Sequence, residues 1–371
     1  MNYLNRKILW CLLLDLKKDD LKENIFISKL ASEADESLVN QVNCDVDRCL
    51  FEDDCRKLQL KELILSVFTS NKFCFSYIQG MHDIASVFLE LFQSKEDDSS
   101  PKFEDIIEEL DKINKIYDMC QLKELVFSLE KKLRSPKGRS DICFLVFEKF
   151  LSKYSIPFIY KKNGKNPTLN NALNCIGDDL LCLLGRSSPK IFKLFKDTRK
   201  DSSDPKTFMF TLSWIITWFS HNISIENTEI LFYLFENFIN NEPVYIIFFI
   251  EELIIQNYDK LIDFLCSHIG FDNLDDTSSK SDIYPFIHLY FQNLNFNDIE
   301  WNSIVGRSKR SFEVNKDISL KSRILWSINS GSNIQENSHL YIFNMKYRKQ
   351  IIYILFILSG VVLAYLFFLL W

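Results

Sequence analysis

Glycine and proline are scarce in this chain: of 371 residues only 9 are glycine and 8 proline, where average usage would give roughly 26 and 19. Few turns have the residues best suited to them, so turn-rich β architectures are disfavoured and long helices favoured. The glycines stand at 80, 138, 164, 177, 185, 270, 306, 331 and 360, a spacing that forms neither a G-x-G-x-x-G nor a G-x-x-x-x-G-K-[ST] loop. The chain is therefore not expected to hold a dinucleotide or nucleoside triphosphate of its own.

Positive charge is short as well. Lys and Arg number 44 against 50 Asp and Glu, giving a net charge of -6, and no long basic tract interrupts the balance. Nucleic acid is not an expected partner. The 5 histidines and 10 cysteines are scattered. No C-x-x-C pair occurs, and no histidine lies close in sequence to Cys44, Cys49 and Cys55, the densest cysteine group. No zinc site is expected, and the cysteines read as reduced, mostly buried thiols of a cytosolic protein.

What the chain does have is apolar and aromatic mass: 47% hydrophobic residues, with 33 Phe and 14 Tyr, against 25% charged. That is the composition of a packed core, in one large domain or two to three smaller ones. Apolar positions recur three and four apart at Ile8, Leu12 and Leu13, at Leu60, Leu63, Ile64 and Val67, and at Ile230, Leu234, Phe235 and Phe238, which predicts an all-α fold. Two short apolar stretches, Phe208 to Phe219 and Val244 to Ile255, read as core helices. Polar breaks at Lys95–Ser100 and Ser135–Ser140 bracket a charged amphipathic helix, Glu104 to Lys132, which reads as an insertion or solvent-exposed lobe. Further loops are expected at Lys161–Pro167 and Thr198–Pro205.

The longest apolar run is Ile351 to Trp371, 21 residues without a charge. As a helix it would measure about 31 Å, the thickness of a hydrocarbon core. Lys346, Arg348 and Lys349 precede it, so the positive-inside bias places residues 1–350 in the cytosol. The expectation is a single-pass tail anchor (347–371 with its basic flank), joined by a linker, 313–346, to the rest. Ile8 to Leu14, by contrast, is too short and too closely followed by charges for a secretory signal.

Two polar clusters stand out in the cytosolic part. In Val42-Asn43-Cys44-Asp45-Val46-Asp47-Arg48, Asp45 and Arg48 are three apart and on a helix would share a face; spacing alone makes this an ordinary surface ion pair. In Tyr77-Ile78-Gln79-Gly80-Met81-His82-Asp83, the polar residues could simply be the loop and first turn of a helix. Together and in this order, they resemble the TBC domain of Rab GTPase-activating proteins, whose first motif reads Ile-x-x-Asp-x-x-Arg and whose second reads Tyr-x-Gln-Gly-Met. The second motif is intact as Tyr77, Gln79, Gly80 and Met81. In the first, Val42 stands for Ile and Cys49 follows the arginine where Ser or Thr is usual, but both charged residues are kept. Arg6 to Trp10 is similar to the family's opening Arg-x-x-x-Trp helix, and Leu212 to His221 to its third motif as found in tail-anchored endoplasmic-reticulum members. The helix from Ile230 lacks the Trp-Asp pair many members carry.

The resemblance spans about residues 1–312, with 95–140 matching least. It implies a two-lobed helical domain and a GTPase activator with no independent reaction of its own. The partner would be a GTP-bound Rab, and GTP and Mg²⁺ would belong to that partner. Arg48 and Gln79 would be catalytic fingers supplied in trans. Asp45 would orient Arg48, while Tyr77, Gly80 and Met81 would shape the loop presenting Gln79. Trp10, Trp214, Trp218 and Phe219 read as core, and His82 and His221 as isolated structural histidines. With the anchor, this places the protein on endoplasmic-reticulum or Golgi membranes. The rival, from another class, is a catalytically idle, membrane-anchored scaffold that binds a Rab or another membrane partner. The retained Arg48 and Gln79 favour the activator.

Overall fold

The computed structural model describes residues 2–23, 25–49, 51–70, 75–94, 102–112, 118–159, 169–198, 205–269 and 283–315. In chain order its α-helices are α1 (Tyr3–Leu13), α2 (Ile27–Ser32), α3 (Glu36–Val46), α4 (Asp54–Thr69), α5 (Met81–Gln93), α6 (Phe103–Lys112), α7 (Met119–Leu133), α8 (Pro136–Phe150) and α9 (Ile156–Ile159). They continue with α10 (Leu169–Ser187), α11 (Pro189–Thr198), α12 (Leu212–Thr217), α13 (Thr228–Ile239), α14 (Tyr245–Gln256), α15 (Tyr258–Ile269), α16 (Tyr284–Gln292) and α17 (Trp301–Val314). No β-strand occurs among the described residues, as the scarcity of glycine and proline predicts.

With so few glycines and prolines, side chains mark where the helices begin. Asn2 accepts from the Asn5 N–H at the start of α1, Asp35 from Leu38 at α3, and Asp118 from Gln121 at α7. Ser135 caps α8 through the Gly138 N–H, with Pro136 following in the first turn. Such caps satisfy amide donors that no turn of helix can reach. Asp118 also corrects the reading of Glu104 to Lys132 as one helix. Its extended backbone, φ -64° and ψ 119°, begins a new helix at Met119. Nor is this segment a solvent-exposed lobe. α6 and α7 pack on α1, burying Ile106, Leu110, Leu122, Val126, Leu129 and Leu133, while Asn5 Nδ2 donates to the Lys102 carbonyl and to Asp105.

The core is continuous and aromatic. Trp10, fully buried, stacks on Phe235 at 5.8 Å and meets Phe88 edge-on at 5.2 Å. Its indole N–H donates to Glu236, which also accepts from Arg6 at 2.8 Å. Burial pushes the Glu236 carboxyl up and Arg6 pulls it back, so α1 is fastened to α13 by packing and by charge. A second aromatic concentration surrounds Trp214 and Phe219, with Phe210, Phe291, Phe296 and Trp301. Glu251 of α14, 1% exposed, accepts from Ser187 of α10 and Ser311 of α17, which satisfies a carboxylate that would otherwise be costly to bury.

The stretch from Phe208 to Phe219 is not one helix. A 3₁₀ segment, Pro205–Thr211, leads into the short α12, and the chain then reverses with two residues in left-handed conformation, Trp218 at φ 50° and Phe219 at φ 67°. Each costs on the order of 1–2 kcal/mol in a non-glycine residue. The turn gives the neighbouring aromatics different partners, Trp218 packing on Phe150 at 4.6 Å and Tyr154 at 5.0 Å and Phe219 on Phe249 at 5.3 Å, while both meet Phe238. Trp10, Trp214, Trp218 and Phe219 are thus core, as the sequence suggests. The cysteines depart from expectation. Of those described, only Cys11 and Cys143 are buried, whereas Cys44, Cys55, Cys120 and Cys182 are exposed. A small, weakly polar thiol gains little from burial, so helix faces are set by the larger residues around it.

The apolar run 351–371, the linker from residue 316 onward, and most of the loops expected at 161–167 and 198–205 lie outside the described residues. Among the described residues no helix is long and apolar enough to cross a membrane.

Removing Trp10 empties the place where α1, α5 and α13 meet. Trp10→Ala is expected to lower the unfolding free energy by about 3–5 kcal/mol, read from the urea midpoint of the purified protein. A loss below 1 kcal/mol would show that α1 is peripheral.

Candidate functional site

Asp45 lies in the last turn of α3, and its side chain is 4% exposed. A buried carboxylate needs partners, and both its oxygens have one. Oδ1 accepts from Arg48 Nη2 at 2.9 Å, and Oδ2 accepts from the Tyr77 hydroxyl at 2.7 Å. Arg48 itself sits just beyond the helix end, where its Nε also donates to the Cys44 carbonyl at 2.9 Å. Two bonds therefore fix the near side of the guanidinium while the side chain as a whole stays 65% exposed. The pair is a held, outward-presented arginine, unlike a loose surface ion pair in which both partners are solvated.

Tyr77 is buried against Phe68 edge-on at 5.3 Å, in the extended segment before α5. Burial first, and then the Asp45 carboxylate, push its phenol well above the ordinary value, so it remains a proton donor at any physiological pH. Two residues on, Gln79 is exposed. Gly80 follows as the cap of α5 with φ 99°, a conformation other residues avoid. A Cβ there would lie 3.0 Å from the Thr217 methyl of α12. Gly80 thus lets the loop reverse and rest directly on α12. Met81 begins α5 fully buried, its N–H donating to the Ile78 carbonyl at 3.2 Å. Asp45 consequently anchors both exposed groups: Arg48 directly, and the Gln79 loop through Tyr77.

The two histidines read as isolated are not. His82 Nε2 lies 3.3 Å from Asp83 Oδ1, while its buried Nδ1, 3.7 Å from Asp45 Oδ2, makes no hydrogen bond. His221 Nδ1 lies 3.0 Å from Asp83 Oδ2, and because a carboxylate only accepts, the histidine is the donor. That bond raises the His221 pKa against an opposing effect of burial. Asp83 and His221 are 138 positions apart, which no local spacing could reveal. The one sequence hint is that each adjoins a motif, Asp83 after Gly80-Met81 and His221 at the end of Leu212–His221.

No cluster of three or more His, Cys, Asp or Glu able to hold a metal ion occurs among the described residues. Chemically, the site offers a planar fixed cation and a neutral amide, both facing solvent over a buried anion. That set can stabilise negative charge and orient a water on a bound partner's substrate.

Comparison with known families gives one assignment: the family model for the Rab-GTPase-TBC domain matches residues 5–262, a span that includes every residue of this site. No curated protein matches the chain significantly.

Tyr77→Phe deletes the hydroxyl bonded to Asp45 Oδ2 and keeps the ring. It is expected to cost about 1–3 kcal/mol, the penalty of an under-satisfied buried acceptor, measured by denaturant unfolding. An unchanged stability would mean that water already serves that oxygen.

Proposed function

The chain belongs to the Rab-GTPase-TBC domain family, and on that premise we propose that it accelerates GTP hydrolysis by a GTP-bound Rab through two fingers supplied in trans, Arg48 and Gln79. The family carries Rab GTPase activation in general terms. The residue assignments are our reading of the site. A small GTPase is slow because negative charge spreads over the γ-phosphoryl oxygens in the transition state and its attacking water is poorly held. Arg48 would bring a permanent, delocalised charge to those oxygens. Gln79, with a donor and an acceptor on one amide, would orient the water. Asp45 would preset the arginine rotamer, and Tyr77, Gly80 and Met81 would preset the glutamine loop, so that little ordering remains at the moment of reaction. GTP and Mg²⁺ would be the partner's.

One observation carries this reading: a single buried carboxylate, Asp45, fastens both Arg48 and, via Tyr77, the Gln79 loop. A scaffold that merely bound a Rab would have no need for an exposed arginine braced from below.

We further propose that residues 351–371 span an endoplasmic-reticulum or Golgi membrane with residues 1–350 cytosolic. The support is the 21-residue uncharged run and its basic flank. Residues 340–371 fused to a fluorescent protein are expected to be membrane-bound there; a diffuse fusion would remove this part of the proposal, and mitochondrial outer membrane would correct the address.

Arg48→Ala is expected to abolish stimulation. Arginine fingers supply 10³ to 10⁵ in rate, about 4–7 kcal/mol. Arg48→Lys should recover little, since a point charge lacks the planar fork, and Gln79→Ala should also cost heavily. Affinity for the GTP-bound Rab should change little in all three. Single-turnover hydrolysis and equilibrium binding with the best-stimulated Rab decide it; intact acceleration by Arg48→Ala would transfer the assignment to the scaffold reading.

A further inference from the structure

We propose that His221 and Asp83 are positioning residues that lock the Gln79 loop to α12; this rests on the reading of Arg48 and Gln79 as fingers. The two groups join distant segments of the chain. His221, in the turn after α12, bonds Asp83 Oδ2 at 3.0 Å. Asp83 Oδ1 is 3.3 Å from His82 Nε2, while His82 Nδ1, 3.7 Å from Asp45 Oδ2, makes no hydrogen bond. Asp83 is buried, and a buried carboxylate needs a partner such as His221.

Asp83 is well placed to act on Gln79. It lies in the first turn of α5, its N–H donating to the Gly80 carbonyl at 3.1 Å, and its charge suits the helix N-terminus. The loop is thus held at two points on the same partner segment: Gly80 rests on the Thr217 methyl, and Asp83 is bonded by His221. The turn that delivers His221 is itself unusual, reached through the left-handed Trp218 and Phe219. That conformational cost is sustained by the aromatic packing of both residues and puts His221 within reach of Asp83. The His221 side chain is 60% exposed, so core packing does not explain its orientation; its backbone N–H donates to Thr217 Oγ1, and its ring is held by Asp83.

A displacement of about 1 Å at a catalytic group can cost 10²-fold. His221→Ala in the full chain is therefore expected to lower the maximal single-turnover rate of Rab GTP hydrolysis about ten- to a hundred-fold. The half-saturating Rab concentration and the thermal midpoint should stay nearly unchanged. His221→Asn keeps an N–H donor near the Nδ1 position and should restore most of the rate; Asp83→Ala, which removes the acceptor, should behave like His221→Ala in rate. If His221→Ala keeps the wild-type rate while Arg48→Ala loses it, the positioning role is overturned and the fingers stand. If rate and thermal midpoint fall together and Asn rescues neither, the bond is structural and the proposal fails. If wild type accelerates no Rab in the panel, the parent reading fails and this one with it.

Discussion

The buried carboxylate of Asp45 is the constraint on which the site depends. Desolvating an isolated carboxylate costs several kcal/mol, so its place in the fold is tenable only with partners, and the partners it has belong to the candidate site. Arg48 takes one oxygen and Tyr77 the other. The exposed arginine and the exposed glutamine loop are thereby referred to a single point under the surface. In the function we propose, the rigidity a transition state requires would come from this shared anchor, since both Arg48 and Gln79 are exposed.

Around that anchor the helical framework supplies distance and direction. α3 ends at Val46, two residues after Cys44, releasing Arg48 past the last helical residue. α5 begins at Met81 behind a left-handed glycine, setting Gln79 just outside the helix. α12 is only a few residues long and ends in two left-handed aromatics, which bring Thr217 under Gly80 and His221 against Asp83. Three short irregularities, each at a helix terminus, thus converge on one place, and the continuous aromatic core keeps them there.

Much of this was legible in the sequence. Scarce glycine and proline together with three-and-four periodicity are consequences of helix geometry, so the all-α fold followed directly; Asp45, Arg48 and Tyr77 to Met81 were identifiable because each motif is local. What was not legible depends on contacts between distant segments. His82 and His221 read as isolated because Asp83, the group between them, is adjacent to one and far from the other in sequence. The left-handed turn at Trp218 and Phe219 carries no glycine to announce it. α6 and α7 read as an exposed charged helix because their apolar stripe becomes visible as core only once α1 is laid against it, and Asp118 looks like one more acidic residue until its backbone shows it to be a cap.

The central claim is that Arg48 meets charge that exists only in the transition state. The most direct measurement is binding of the protein to a Rab loaded with GDP and aluminium fluoride, which mimics the transferring phosphoryl group, compared with GDP alone. The account predicts that wild type binds the aluminium-fluoride form much more tightly and that Arg48→Ala loses this preference, while both bind the GTP form alike. Equal preference in the two proteins would contradict it.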